Sequence, residues 1–226
     1  MNCWYSGVCP LVREGCEGAC ERFSQMSHLF IQSRIPKAMR RPLALVPDRV
    51  DEPAFDRLME IKKGISSFVA DGGNLYITSP ITGNGKTTWV LKLMQAYFDR
   101  SWAGNNYRER GIFVGMPELL SMYSRLHADE ASSDDVAELT ECLLKVDLAI
   151  WDDIGATRLT ESQQNYVQGL LDKRLNGGLS NIFTGNMVDA PLMSAVGPRI
   201  FSRVQTNSEV ISLRGRDMRG TTANHQ

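Results

Sequence analysis

Five hydrophobic residues before the middle of the chain recur at helical spacing, three or four positions apart. They are Ala54, Leu58, Ile61, Ile65 and Phe68. The spacing predicts a helix that stops at 71–73, an Asp-Gly-Gly sequence. Short aliphatic runs then alternate with longer segments of helical period. The runs predict strands at 75–78, 112–114, 146–151, 181–184 and 210–213, and the segments predict helices at 87–98, 117–126, 134–145, 161–175 and 190–205.

This alternation indicates an α/β fold in which helices cover both faces of a parallel sheet. The composition agrees, since 42% hydrophobic and 23% charged residues in a chain of 226 are typical of a globular protein. A chain of this length can form one core of about 150 to 200 residues with a small appendage. We therefore expect a cysteine-rich segment at 1–24, a basic connector at 25–50 and the main domain at 51–226.

The charge balance limits the kinds of partner. The 25 Lys and Arg residues nearly cancel the 26 Asp and Glu residues, so the chain lacks the strong positive field of a dedicated nucleic-acid coat. Contact with DNA would have to be local. The candidates are Arg34, Lys37, Arg40, Arg41, Arg108 and Arg110, with a merely solvated surface as the alternative. The sequence shows neither a bilayer-length apolar run nor a secretory signal, so we expect a cytoplasmic protein with no membrane partner.

Four of the five cysteines fall within the first 20 residues: Cys3, Cys9, Cys16 and Cys20, with five, six and three residues between them. In a reducing compartment they are poor candidates for disulfide bonds. Four thiolates suit tetrahedral Zn²⁺, which would also help so short a segment to fold, and we favour this interpretation. The spacing lacks paired C-x₂-C motifs, so free thiols, or a zinc site with His28 in place of one cysteine, remain alternatives.

The segment 79–88 lies between a predicted strand and a predicted helix, as a phosphate-binding loop does. Glycines allow backbone N–H groups to face phosphate oxygens, the Lys can reach the β- and γ-phosphates, and the Thr after it can bind Mg²⁺. Pro80 stands where the full pattern has Gly, and it has no N–H to donate. A simple Gly-rich turn is the alternative. The residues expected to bind nucleotide are Gly83, Asn84, Gly85, Lys86, Thr87 and Thr88.

Two carboxylates and an amide follow the next predicted strands. Asp152 and Asp153 end the strand 146–151, at the sheet edge where open α/β folds bind ligands. There Asp152 would hold Mg²⁺ through water, and Asp153 would position or deprotonate an attacking water. Asn186 follows the next strand and could orient that water if the two strands are neighbours. The alternatives are a turn for the acidic pair and a turn or helix cap for Asn186.

Together these motifs resemble the AAA+ ATPases, and more narrowly the DnaC/DnaI-type replicative helicase loaders and their relatives, the IstB-type transposition helper ATPases. The resemblance covers about residues 30–220 and is carried by 35–37, 83–88, 147–155, 184–186, 198–204 and 215–219. It implies a P-loop NTPase sheet between helical layers, with ATP and Mg²⁺ as ligands.

The resemblance also implies roles for single residues. In the family, the segment around Ile35 and Pro36 flanks the adenine, Asn186 corresponds to sensor 1, Arg203 to the arginine finger and Arg219 to sensor 2. Because the sequence ends soon after Arg219, we expect no C-terminal helical lid domain.

Two features bear on turnover and assembly. Asp153 stands where most AAA+ proteins carry Glu, which is one methylene longer, so we expect slow hydrolysis with nucleotide acting largely as a conformational switch. Arg199 and Arg203 are four residues apart and would share one helix face. A finger supplied by a neighbouring subunit requires head-to-tail association into a ring or spiral. A solvated basic face is the alternative.

The resemblance favours an ATP-dependent loader that binds a hexameric replicative helicase through residues 1 to about 50 and helps to place it on single-stranded DNA. Some loaders of this family have a zinc-binding N-terminal module. A transposition helper ATPase and an ATP-binding adaptor with little hydrolysis are the alternatives. A small-molecule kinase would share the phosphate loop, but the sequence shows no Arg-rich lid for it.

Overall fold

The computed structural model describes residue 3 and residues 5–9, 11–40, 48–125 and 130–217. The strands are β1 (Asn74–Thr78), β2 (Gly111–Gly115), β3 (Leu148–Asp152), β4 (Ser180–Gly185) and β5 (Glu209–Ser212). The helices are α1 (Glu21–Gln32), α2 (Glu52–Lys63), α3 (Ile65–Ala70), α4 (Lys86–Ser101), α5 (Met116–Ser124), α6 (Glu130–Lys145), α7 (Glu161–Asn176), α8 (Asp189–Val196) and α9 (Pro198–Phe201). A π-helical turn, Ser202–Thr206, continues α9.

The strands form one parallel sheet in the order β2-β3-β4-β1-β5. Because all strands run the same way, the loops after β1, β3 and β4 emerge at one edge of the sheet. β3 and β4 are direct neighbours, with Trp151 opposite Phe183 at the end of their pairing. The predicted α/β class and the neighbouring strands behind Asp152 and Asn186 are therefore confirmed.

Side chains alternate between two hydrophobic cores, one on each face of the sheet. On β3, Leu148 and Ile150 pack with α1 to α4, whereas Ala149 and Trp151 pack with α5 to α9. This period of two is what a strand buried on both faces requires. The sheet is thus the middle layer of three, and the helix that follows the phosphate loop, α4, lies in the first layer.

The helix α1 has no counterpart in the sequence prediction and crosses residue 24, the expected end of the cysteine-rich segment. Its buried face carries Arg22 and Gln25 beside Met26, Leu29 and Phe30, so polar residues interrupt the hydrophobic stripe. The division of the chain into three regions stays a prediction.

Two predicted helices prove to be interrupted. The helix expected from Ala54 to Phe68 is split at Gly64 into α2 and α3. The helix expected at 190–205 is wrong as one element, because Gly197 has φ of 85° and separates α8 from α9. This left-handed φ favours glycine, and a Cβ there would also lie 2.3 Å from Oε1 of Gln164, so the Gln164 side chain would have to shift.

Within the described parts of the chain, no helix combines the length and apolar character needed to cross a membrane.

Candidate nucleotide-binding site

The predicted phosphate loop joins β1 to α4. Gly83 and Gly85 have φ of 76° and 100°, in the left-handed region that glycine adopts without strain. The loop is closed from within by Ser79, whose hydroxyl accepts hydrogen bonds from the N–H of Ile81 at 3.0 Å and from Nδ2 of Asn84 at 2.5 Å. The turn is therefore preformed, and Asn84 contributes by bridging its two ends.

The Lys86 side chain spans the loop that precedes it. Its Nζ donates to the carbonyl of Ile81 at 3.0 Å and lies 3.5 Å from Oδ1 of Asn84. The residue is 6% exposed, so its charge faces the inside of the turn. Thr88, two residues further into α4, is half-buried. These contacts place a buried cation where the phosphate groups are expected.

The carboxylate of Asp152 connects this loop to the neighbouring strands. Oγ1 of Thr87 lies 3.1 and 3.2 Å from its two oxygens, and Oγ1 of Thr184 lies 2.6 Å from Oδ1. The three side chains come from α4, β3 and β4, which the sequence separates by up to 97 positions. The structure thus brings Thr87 and Asp152, the two predicted Mg²⁺ ligands, into direct contact.

Asp153 and Asn186 lie beside this carboxylate. Asp153 is half-buried with φ of 60°, and its N–H donates to Oγ1 of Thr184 at 2.9 Å. Oδ1 of Asn186 is buried, and no described protein group donates to it. An unpartnered buried oxygen is costly unless water or a ligand supplies a hydrogen bond. Asn186 therefore has the unused hydrogen-bonding capacity that a water-orienting residue needs.

The electrostatics of Asp152 are governed by its burial. Loss of solvent raises the pKa of this carboxyl, whereas hydrogen bonds from Thr184 and Thr87 and the charge of Lys86 lower it. Among the described residues no Lys or Arg forms an ion pair with it. This buried carboxylate accepts hydrogen bonds from hydroxyls but has no ion-pair partner in the described part of the chain. It is a hard oxygen ligand, which suits Mg²⁺.

The donor set therefore fits a magnesium nucleotide. Thr87 and Asp152 would hold the metal, and the loop N–H groups with Lys86 would hold phosphates. Pro80, the departure from the usual loop pattern, is exposed at the start of the turn.

The sequence matches no family model and no curated protein. Solved structures match the fold over most of the chain. DnaI is 19% identical with a TM-score of 0.60, covering 82% of this chain and 95% of DnaI. The DnaC helicase loader is 17% identical with a TM-score of 0.56, covering 75% of this chain and 94% of DnaC. The chain has the AAA+ fold. The DnaC/DnaI-type resemblance is thus confirmed at the level of fold.

A third structure, the replication initiator DnaA bound to AMPPCP and single-stranded DNA, is 17% identical with a TM-score of 0.55. The match covers 75% of this chain but 48% of DnaA, so this chain corresponds to about half of that protein.

The contacts of the predicted arginine finger are with α7 and α9. Arg203, in the π-helical turn, forms an ion pair with Asp172 of α7 and donates from Nη1 to the carbonyl of Arg199 at 2.8 Å. Arg199 itself is exposed. The predicted sensor 2 residue, Arg219, lies outside the described residues, as does Arg41.

The structure does not group Ile35 and Pro36 with the phosphate loop. The carbonyl of Ser33, just before them, accepts from the N–H of Phe113 in β2, the edge strand that is separated from β1 by β3 and β4. The Ile35 side chain is 1% exposed and packs in the core with α1 to α4. This placement offers no support for their expected contact with adenine.

A different N-terminal segment contacts the residues that follow β5, and the sequence did not reveal this contact. Leu213 extends β5 by donating to the carbonyl of Thr78, at the end of β1. The two carboxylate oxygens of Asp51 then accept from the N–H groups of Arg214 at 2.6 Å and Gly215 at 2.8 Å. A Cβ on Gly215 would lie 2.6 Å from Oδ2 of Asp51, so this close contact requires glycine.

The cysteine-rich segment does not support the expected zinc site. Cys3, Cys9, Cys16 and Cys20 line one cavity of about 540 Å³, yet among the described residues no group of three or more His, Cys, Asp or Glu side chains is arranged to hold a metal ion. The Cys20 sulfur instead caps α1 by accepting from the N–H of Phe23 at 3.4 Å. Packing and capping account for these thiols.

Proposed function

We propose that the chain binds and hydrolyses ATP with Mg²⁺. The observation that carries this proposal is the contact of Thr87 with Asp152, next to the buried Nζ of Lys86. A Lys, a Thr and an Asp in these positions can hold the phosphates and Mg²⁺ of a nucleoside triphosphate, and here they come from two segments that are far apart in the sequence.

Each group has a separate task. Lys86 exchanges the carbonyl of Ile81 for phosphate oxygens, and the loop N–H groups orient the same phosphates. Bound Mg²⁺ would neutralise charge that develops on the phosphoryl oxygens. Asp153 positions or deprotonates the attacking water, and Asn186 orients this water through its unpartnered amide oxygen.

Hydrolysis is expected to be slow. The Asp153 side chain is one methylene shorter than the Glu of most AAA+ proteins, and Arg203 is engaged with Asp172 inside its own subunit. Efficient phosphoryl transfer would then need Arg203 of a neighbouring copy in a head-to-tail ring or spiral. The nucleotide would act as much to hold a conformation as to be consumed.

The biological role that best fits is in the initiation of DNA replication, as a loader of a hexameric replicative helicase onto single-stranded DNA. The supporting finding is the fold shared with the DnaC helicase loader and DnaI, and with DnaA bound to single-stranded DNA. The N-terminal segment, which α1 joins to the α4 side of the domain, is the proposed contact for the helicase.

The nucleotide proposal is tested by Lys86→Ala. Loss of the only buried Lys in the described residues should abolish binding of a fluorescent ATP analogue, measured by equilibrium titration, without changing the thermal unfolding midpoint greatly. Lys92→Ala, on the same helix but outside the loop, is the matched control. Normal ATP turnover by Lys86→Ala would rule out the phosphate-loop assignment.

The loader proposal is tested separately. Full-length chain should co-purify with a replicative helicase, and ATP should change the amount retained. Single-stranded DNA should stimulate hydrolysis, and added salt should weaken this stimulation steeply. Stimulation by a transposase instead would favour the IstB-type helper, and stimulation by a small metabolite would favour a kinase.

A further inference from the structure

Thr184 is fully buried in β4, one residue beyond the last paired position of β4 with β3. Its hydroxyl lies 2.6 Å from Oδ1 of Asp152 and 2.9 Å from the N–H of Asp153. Its carbonyl accepts from the N–H of Ile154 at 2.7 Å. One residue of β4 therefore holds three consecutive residues at the end of β3.

The direction of these bonds follows from the donor inventory. An ionised carboxylate can only accept, so the Thr184 hydroxyl must donate its one proton to Asp152. This leaves the hydroxyl lone pairs for the N–H of Asp153. A single hydroxyl group can donate to Asp152 and accept from Asp153 at the same time. Val lacks the hydroxyl and can make neither bond, whereas Ser retains it and can make both.

We propose that Thr184 is a positioning residue of the nucleotide site, which aims the Asp152 carboxylate at Thr87 and fixes the turn that carries Asp153. The proposal rests on the proposed ATP-binding function. Outer hydrogen bonds of this kind orient metal-binding carboxylates and limit the number of positions they sample. The left-handed backbone of Asp153, with φ of 60°, needs such support, because a non-glycine residue rarely adopts it.

The glycine that follows Thr184 allows the end of β4 to lie close to the turn 152–154. A Cβ on Gly185 would lie 2.7 Å from the carbonyl of Ile154 and 2.5 Å from Oη of Tyr76. Any side chain at 185 would therefore push the end of β4 away from the turn 152–154. Glycine at this position lets Thr184 come within hydrogen-bonding distance.

A matched threonine separates positioning from packing. Thr78 ends the adjacent strand β1, is 3% exposed and faces Gly185 in register. Its hydroxyl lies 3.4 Å from the carbonyl of Met187. Val has nearly the same shape as Thr. Replacing either threonine by Val therefore removes one buried hydroxyl at the same edge of the sheet and changes the packing little.

The experiment compares Thr184→Val, Thr184→Ser and Thr78→Val with the wild-type chain. Binding of a fluorescent ATP analogue is titrated with Mg²⁺ and again in EDTA, and thermal unfolding is followed by circular dichroism. Thr184→Val should weaken Mg²⁺-dependent binding about 10- to 100-fold and leave binding in EDTA unchanged. Thr184→Ser should retain the wild-type affinity, and so should Thr78→Val.

Several results would overturn the proposal. Wild-type Mg²⁺-dependent binding in Thr184→Val would do so, as would equal losses in Mg²⁺ and EDTA, or the same loss in Thr78→Val. If Thr184→Val does not fold, Thr184→Ala gives the same comparison. A wild-type chain that binds no nucleotide would instead overturn the proposed function itself, so the two failures are distinguishable.

Discussion

Asp147 and Asp152 flank the same buried strand, β3, but their surroundings differ. Asp147, just before the strand, accepts from Oη of Tyr97 at 2.7 Å and pairs with Arg108 at 2.6 Å and Arg110 at 3.0 Å. Asp152, at the other end, is held by the hydroxyls of two threonines and has no ion pair with any described residue.

These surroundings distinguish a structural carboxylate from one that can bind a cation. The Asp152 residue is 8% exposed and the Asp147 side chain 19%, so both are largely shielded from water. Burying a charge is costly unless a partner neutralises it. At Asp147 the protein supplies that partner in direct ion pairs, whereas at Asp152 it supplies hydrogen bonds and the nearby charge of Lys86 but no ion pair with a described residue, which leaves the carboxylate able to bind a cation.

The largest effect is expected from Asp152→Asn. Loss of the carboxylate should reduce ATP hydrolysis at least about 100-fold, because metal-assisted charge stabilisation is worth several kcal/mol and each tenfold corresponds to about 1.4 kcal/mol. The thermal unfolding midpoint should stay unchanged or rise, because a buried uncompensated charge is removed. A clear fall in stability would show instead that Asp152 is structural, like Asp147.

The reciprocal change, Asp147→Asn, should act on stability. Two arginines and a tyrosine hydroxyl lose a charged acceptor, which should lower the free energy of unfolding by about 1 to 3 kcal/mol. Urea denaturation measures this change. Binding of a fluorescent ATP analogue, measured well below the unfolding midpoint, should match the wild type. Weak nucleotide binding with unchanged stability would contradict the structural role.

Features encoded by neighbouring residues were predictable from the sequence. The phosphate loop, the strand before it and the acidic end of β3 each depend on residue types within about ten positions. The alternation of strands and helices likewise gave the α/β class and placed the strands to within two residues, because buried parallel strands form continuous apolar runs.

Contacts between distant segments were not predictable. Nothing near Asp147 indicates that Arg108 will neutralise it, and nothing near Thr184 indicates its bond to Asp152. Arg174 shows the same limit. It has no exposed surface and bonds to Oδ1 of Asn181 at 2.7 Å, and burial lowers its pKa to about 9. A lone Arg in a helix pattern gives no sign of such burial.

Replacing a third carboxylate, Asp172, should change the free energy of unfolding least. Its ion pair with Arg203 is partly exposed, with side chains 33% and 24% accessible. Partly solvated pairs of this kind contribute about 0 to 1 kcal/mol, so Asp172→Ala should shift the free energy of unfolding no further than that. Urea denaturation beside Asp147→Asn provides the comparison.

The same pair tests whether Arg203 acts on a neighbouring subunit. Because Asp172 holds Arg203 within its own chain, Asp172→Ala releases the guanidinium, and hydrolysis in assemblies should be unchanged or higher. Arg203→Ala should lower hydrolysis in assemblies but not in dilute monomers, with Arg199→Ala as the control. The measurement is ATPase activity as a function of protein concentration. If Asp172→Ala instead lost activity together with Arg203→Ala, the ion pair would be orienting the finger, and Asp172 would join Asp152 as a carboxylate that serves the site.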